Sequence, residues 1–279
     1  MKIRRLCIGR SLMNILDDEF FARVGHDLRG ELATMLAGVD FLLRYNKRIE
    51  PSHREMLDRV RGAGDRLTTL LDELNHAVWL YPNPQRAMLV GPCDPVVLIQ
   101  DITADLYEAA AVRQVRLIVD NELREGEVSL AADAPLLKVA LGYVASLALM
   151  RSRGRAVRVR LAWGGDGRPT VTISDQAGPV PPEVLQRIFE PFVERVALDV
   201  KIPSPSGEPP PPRRRERLGL GLGIARGILE AHCGTLLVTV AGERETAGLC
   251  FACVLGSAPH QQEGSTDQDH APPAGGASL

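Results

Sequence analysis

The sequence predicts an α-helical hairpin, paired with a second copy into a four-helix bundle, followed by an α+β sandwich. Three observations carry this. Apolar residues recur at Val24, Leu28, Leu32, Met35, Val39 and Leu42, one stripe along a long helix. A second stripe follows after a short break, at Met56, Val60, Ala63, Leu67, Leu71, Leu74 and Val78. From about residue 92 the texture changes to strand-like alternation interleaved with apolar helices.

Residues 1–14 form an N-terminal segment with no clear reading, too short for a sensor domain, so any signal is expected through a separate sensor protein. Residues 15–81 are the hairpin, its first helix running from about 16 to 48. The turn Ile49-Glu50-Pro51-Ser52 follows, with Pro51 suited to open the second helix. Gly62 and Gly64 each weaken that helix by roughly 1 kcal/mol relative to alanine, which predicts a bend. On a wheel of 3.6 residues per turn, His26 lies about 200° from Val24 and from Leu28. The stripe is expected to pack while His26 and Asp27 face solvent. One hairpin cannot enclose its own stripe, so a homodimer is expected.

Tyr81-Pro82-Asn83-Pro84-Gln85 breaks the helix and leads through a linker at 82–91. Within 92–257, helices are predicted over 95–111, 135–150, 183–189 and 220–232. Strands are predicted over 115–119, 157–163 and 170–174, with a hairpin across 236–255. Val157, Val159 and Leu161 alternate with Arg158 and Arg160, the pattern of a half-exposed strand. Residues 258–279 have almost no apolar content and are expected to be disordered, with His260 and His270 plainly solvated.

Composition excludes several classes. A net charge of -2 gives no whole-chain case for nucleic acid or a membrane surface. No apolar run approaches the roughly 20 residues of a membrane span, and the basic N-terminus lacks the apolar core of a signal peptide. The expected location is cytoplasmic. Five scattered cysteines fit reduced thiols. Cys250 and Cys253 fall on opposite faces of a strand and are read as structural.

The run F-F-A-R-V-G-H-D-L-R-G-E-L-A-T-M-L-A-G-V-D-F-L-L, residues 20–43, resembles the phosphoacceptor box of the histidine kinase family. Phe21, Ala22, Val24, His26, Leu28, Arg29, Leu32, Gly38, Leu42 and Leu43 fall in register with F-x-A-x-V-S-H-E-L-R-T-P-L-x-x-I-x-G-x-x-x-L-L. Two later runs resemble that family's ATP-binding domain, whose fold is shared with gyrase-type ATPases. V-T-I-S-D-Q-A-G-P-V-P-P-E-V-L-Q-R-I-F-E-P-F is similar to its D-x-G-x-G-I and I-F-E-P-F run. L-G-L-G-L-G-I-A-R-G-I-L-E-A-H-C-G is similar to G-T-G-L-G-L-A-I-V-x-x-I-V-E-A-H-G-G. The resemblance covers residues 16–255.

It implies that His26 is the nucleophile carrying phosphate and that Asp27 polarises its ring. It implies ATP and Mg²⁺ as cofactors, with Asp175, Gly219, Gly221 and Leu222 at the nucleotide and residues 196–217 as a lid. The partner would be the receiver domain of a response regulator, whose aspartate takes the phosphate. The site also departs from the family pattern. Ala177 and Pro179 stand where two glycines should follow Asp175, and Arg217 stands at the first glycine of the later run. Tyr143, Leu147 and Met150 stand at the first Asn, the Mg²⁺-ligating second Asn and the phosphate-holding Lys of N-L-L-x-N-A-x-K-Y. Leucine offers Mg²⁺ no oxygen, so no metal ligand is assigned. Gly30 and Glu31 replace a Thr or Asn and a Pro, removing the residue that orients water for dephosphorylation. Three mechanisms stand open: an autokinase, an ATP-independent histidine phosphotransferase with a vestigial nucleotide domain, and a non-enzymatic dimeric scaffold.

Overall fold

The computed structural model describes residues 18–46, 48–80, 88–152, 154–178, 180–193, 219–242 and 247–257. The N-terminal segment, most of the linker, Pro179, the lid with Arg217, and the tail lie outside the described residues.

Helices α1 (Asp18–Tyr45) and α2 (Pro51–Trp79) form the hairpin, with Pro51 in the first turn of α2. Within the hairpin Leu32, Val39, Ala63, Leu71 and Val78 of the two stripes are half-buried. Arg29 pairs with Asp72 and Arg61 with Asp40 across the hairpin. A Cβ added to Gly64 would sit 2.5 Å from a methyl of Leu36, and one added to Gly25 would sit 2.3 Å from the Asn75 amide oxygen. The glycines therefore admit close helix approach, and α2 runs unbroken through Gly62 and Gly64 where a bend was predicted. The stripe residues Val24, Leu28, Met35 and Leu42 remain exposed, as do Met56, Val60, Leu67 and Leu74.

The second unit begins with β1 (Gly91–Cys93), α3 (Pro95–Val112), β2 (Arg116–Asn121) and β3 (Leu130–Ala132). It continues with α4 (Ala134–Arg151), β4 (Ala156–Trp163), β5 (Pro169–Asp175) and the short α5 (Pro182–Gln186). It ends with α6 (Gly221–Ala231), β6 (Thr235–Ala241) and β7 (Gly248–Val254). The main sheet has order β2-β4-β5-β7-β6, parallel only between β2 and β4, while β1 and β3 pair separately. The short β1–β3 pair is absent from the sequence reading, since three residues are too few to show a period.

Aspartates set the helix starts. The Asp94 side chain accepts from the Val96 amide at 2.7 Å and caps α3, and Asp133 accepts from Leu136 at 3.1 Å and caps α4. Helix α4 is apolar all round and lies in the core, with Leu137, Leu141, Val144 and Leu147 fully buried against α6 and the sheet. It is long and apolar enough to cross a membrane by composition, and its burial accounts for that. On β4, Val157, Val159 and Leu161 face the core while Arg158 and Arg160 point outward and pair with Asp120 and Glu122. Ala77 and Leu80, at the end of the hairpin, pack on this same core, Leu80 against Gly227 of α6.

Candidate functional site

The His26 side chain is 85% exposed on α1, and Asp27 beside it is 78% exposed, as the wheel predicts. Nδ1 of His26 lies 3.4 Å from Oδ1 of Asp27, a loose pairing. With the proton on Nδ1 facing that carboxylate, Nε2 keeps its lone pair and points to solvent. A nucleophilic nitrogen on a rigid helix, open to a partner, is the chemical content of this end of the hairpin. Gly25 supports it from behind. Lacking a side chain, it lets α1 lie against Asn75 of α2 right beside His26. The helix continues without a break through Gly30.

Asp175 ends β5 with its carboxylate fully buried. Its Oδ1 accepts from the amides of Ala177 at 3.0 Å and Leu249 at 3.1 Å. Its Oδ2 accepts from Nε of Arg151 at 2.8 Å, with both side chains out of solvent. A second guanidinium nitrogen of Arg151 donates to the Gly178 carbonyl at 2.9 Å, and Arg155 donates to Gln176 at 3.0 Å. The loop following Asp175 is thus held by two arginines from the end of α4 and the residues after it. Gly248 is required here, since a Cβ would fall 2.0 Å from the Asp175 carbonyl oxygen. Arg151 is the residue the sequence reading missed. Its signal was a charge closing a helix that is otherwise uncharged after Lys138, at the position of the family's Tyr after Lys.

The other expected nucleotide residues, Gly219, Gly221 and Leu222, stand together at the start of α6. Gly219 takes φ +83°, a left-handed conformation that suits glycine, just before α6. Gly221 opens α6 and is buried, and the Leu222 side chain is buried in the core, leaving only backbone to a ligand. Leu147 is fully buried among apolar neighbours. Tyr143 lies against the hairpin, its hydroxyl 2.9 Å from Nδ1 of His76. Met150 lines a cleft of about 350 Å³ between α2, α3 and α4, together with Arg66 and Arg113. Burial lowers the pKa of His76, opposed by Asp72 and aided by Arg29.

These residues do not fit Mg²⁺–ATP. The carboxylate that would accept an adenine amino group already holds three donors, one of them a buried cation. The metal-ligand position is an apolar core residue. Ala177, at the first of the close-approach glycines, has its methyl fully buried. Among the described residues no group of three or more His, Cys, Asp and Glu side chains is placed to hold a metal.

Comparison with known proteins agrees with this architecture. Residues 132–259 match the family model described as histidine kinase-, DNA gyrase B-, and HSP90-like ATPase. The sensor histidine kinase RppB of Synechocystis sp. is 28% identical over 178 residues, which are 62% of this chain and 38% of that protein. Full-length ShkA, solved in complex with AMPPNP, superposes with a TM-score of 0.61 at 21% identity, over 88% of this chain and 48% of that one. The Acinetobacter baumannii histidine kinase AdeS follows at 0.51 and 15%, over 82% and 98%. At these identities the structural matches show the fold alone. The chain spans less than half the length of RppB and of ShkA. Residues 132–259 thus form a domain of the histidine kinase-, DNA gyrase B-, and HSP90-like ATPase type, and the chain is similar to a sensor histidine kinase over 178 residues.

Proposed function

We propose that this chain is an ATP-independent histidine phosphotransferase, in which His26 takes a phosphoryl group from one receiver domain and passes it to another. The observation that carries the reading is the buried Arg151–Asp175 pair, taken together with a histidine on the hairpin whose side chain is 85% exposed. An adenine amino group is a neutral donor. To reach Oδ2 it would have to displace a guanidinium from a site without water, and breaking such a pair is strongly unfavourable.

The transfer itself needs only the hairpin. The Nε2 lone pair of His26 attacks the phosphorus of a receiver's aspartyl phosphate. The Nε2–P bond forms, the P–O bond to the aspartate breaks, and the carboxylate leaves with the electron pair. Asp27 faces the Nδ1 proton and stabilises the charge that develops on the ring. The reverse step on a second receiver completes the relay. The exposed stripe of both helices is covered by a second copy, giving the four-helix bundle.

The test is a pair of labelling reactions on the purified chain and on His26→Ala. One supplies γ-labelled Mg-ATP, the other a panel of receiver domains carrying labelled aspartyl phosphate. Acid-labile label from a receiver, absent in His26→Ala, is the expected result. Label from ATP that depends on His26 would establish an autokinase and overturn the reading of Arg151.

A further inference from the structure

Arg29 lies one helical turn beyond His26, on the same side of α1. Its guanidinium is committed to Asp72 of α2, Nη2 to Oδ1 at 2.6 Å. Both side chains are 42% exposed, so the pair is partly solvated, and pairs of this kind contribute little to stability. One turn further along α2 stands His76, and its ring meets the Tyr143 hydroxyl of α4 in the second domain. From the turn after His26, the Arg29–Asp72 pair leads to His76, on which both charges act, and His76 in turn contacts Tyr143 of the helix that ends in Arg151.

We propose that Arg29 is a switch residue: when His26 carries a phosphoryl group, Arg29 leaves Asp72 for that group, and the second domain senses the change through Asp72 and His76. This rests on the assignment of His26 as the phosphate carrier. The exchange is favoured on elementary grounds. A phosphoryl group brings nearly two negative charges and three acceptor oxygens, and guanidinium binds such a group with two parallel hydrogen bonds. The pair it must abandon is half in water. Asp27, the other near neighbour, is repelled by the same charge, so among the described side chains Arg29 is the cation one turn from His26.

The consequence falls on His76. The charges that bear on it are Asp72, which favours its protonation, and Arg29, which opposes it, and Tyr143 is the titratable group in contact. Moving Arg29 away leaves the Asp72 carboxylate uncompensated one turn from the ring. Both changes favour imidazolium at the domain contact, where the neutral ring now stands. The second domain in this reading is a reporter of the hairpin's phosphorylation state.

Potassium phosphoramidate provides a probe that needs neither ATP nor a receiver: phosphoryl moves from the ammonia nitrogen to Nε2 and ammonia leaves. The adduct on His26 is the phosphorus signal missing in His26→Ala. The His76 titration is followed by carbon NMR of the full chain, with the resonance assigned through His76→Gln. Phosphorylation should raise its midpoint by about half a pH unit, the scale of one partly solvated neighbouring charge. Arg29→Gln should raise the midpoint before phosphorylation and leave little further rise after it. A phosphoryl-dependent rise that persists undiminished in Arg29→Gln would mean a through-space field, and would overturn the switch. No movement of His76 on a phosphorylated His26 would overturn it while leaving the relay intact. Phosphoramidate failing to modify His26 would remove the acceptor on which both rest. Label from phosphoramidate but from no receiver would count against the relay alone.

Discussion

At the scale of single residues, Arg151 and Cys233 are where the structure puts a charge in the core and a side chain in a left-handed conformation. Arg151 and Asp175 are buried together, so truncating Arg151 strands a carboxylate in the core. Arg151→Met is expected to lower unfolding stability by about 3–5 kcal/mol, measured by urea denaturation. Adding Asp175→Asn should recover most of that loss. The amide oxygen still accepts from Ala177 and Leu249, while the charge is gone. An additive double variant would show that the two side chains are not coupled. Cys233 takes φ +56° at the end of α6, where the family run has glycine. Its Cβ strains that left-handed conformation, so Cys233→Gly should raise stability by about 1 kcal/mol in the same assay. A loss of stability would mean that the thiol makes a contact worth more than the strain.

At the scale of elements, the joints between helices depend on uncharged histidines. His232 closes α6: Nδ1 lies 2.8 Å from the Ile228 carbonyl and Nε2 lies 3.0 Å from the Asp133 amide. Because that amide is a donor, Nε2 must be the unprotonated nitrogen, and only the neutral ring satisfies both neighbours. Burial lowers the pKa of His232 below the ordinary 6.5, and burial does the same to His76 at the contact between hairpin and second domain. The unfolded chain therefore binds more protons than the folded one as pH falls through 6.5. Stability should decline from pH 7.5 towards 5, and a flat profile of urea midpoints over that window would refute the assignment.

At the scale of the whole molecule, the hairpin presents a row of exposed apolar side chains on both helices while its internal contacts use Gly25, Arg29, Leu36 and Asp40. A second copy laid on that row buries it. Met35→Glu with Leu67→Glu places charges in the middle of the proposed bundle. The pair should convert a dimer to a monomer in sedimentation velocity, with helical content retained, because glutamate is a good helix former. A dimer unchanged by both charges would put the second copy elsewhere. The proposed relay and the proposed dimer both involve the helix that carries His26 on its solvent face.

The local patterns were legible in the chain itself. Heptad spacing announced both long helices, alternation announced β4 and β5, and the wheel placed His26 outside the stripe. These follow from backbone periods of 3.6 and 2, which any short window displays. That His26 is an exposed imidazole and Leu147 an apolar residue was likewise written in single letters. What a window cannot display is which distant residues meet. The partner of Asp175 is Arg151, 24 residues earlier, and the partner of Arg29 is Asp72, 43 residues later. The face on which the hairpin closes was decided by Gly25 and Gly64, glycines that sequence counts only as helix weaknesses. Sequence determined the elements and the outward placement of His26. Tertiary structure decided that the Asp175 carboxylate is paired with the protein's own Arg151, because only packing brings a buried charge the counter-charge it requires.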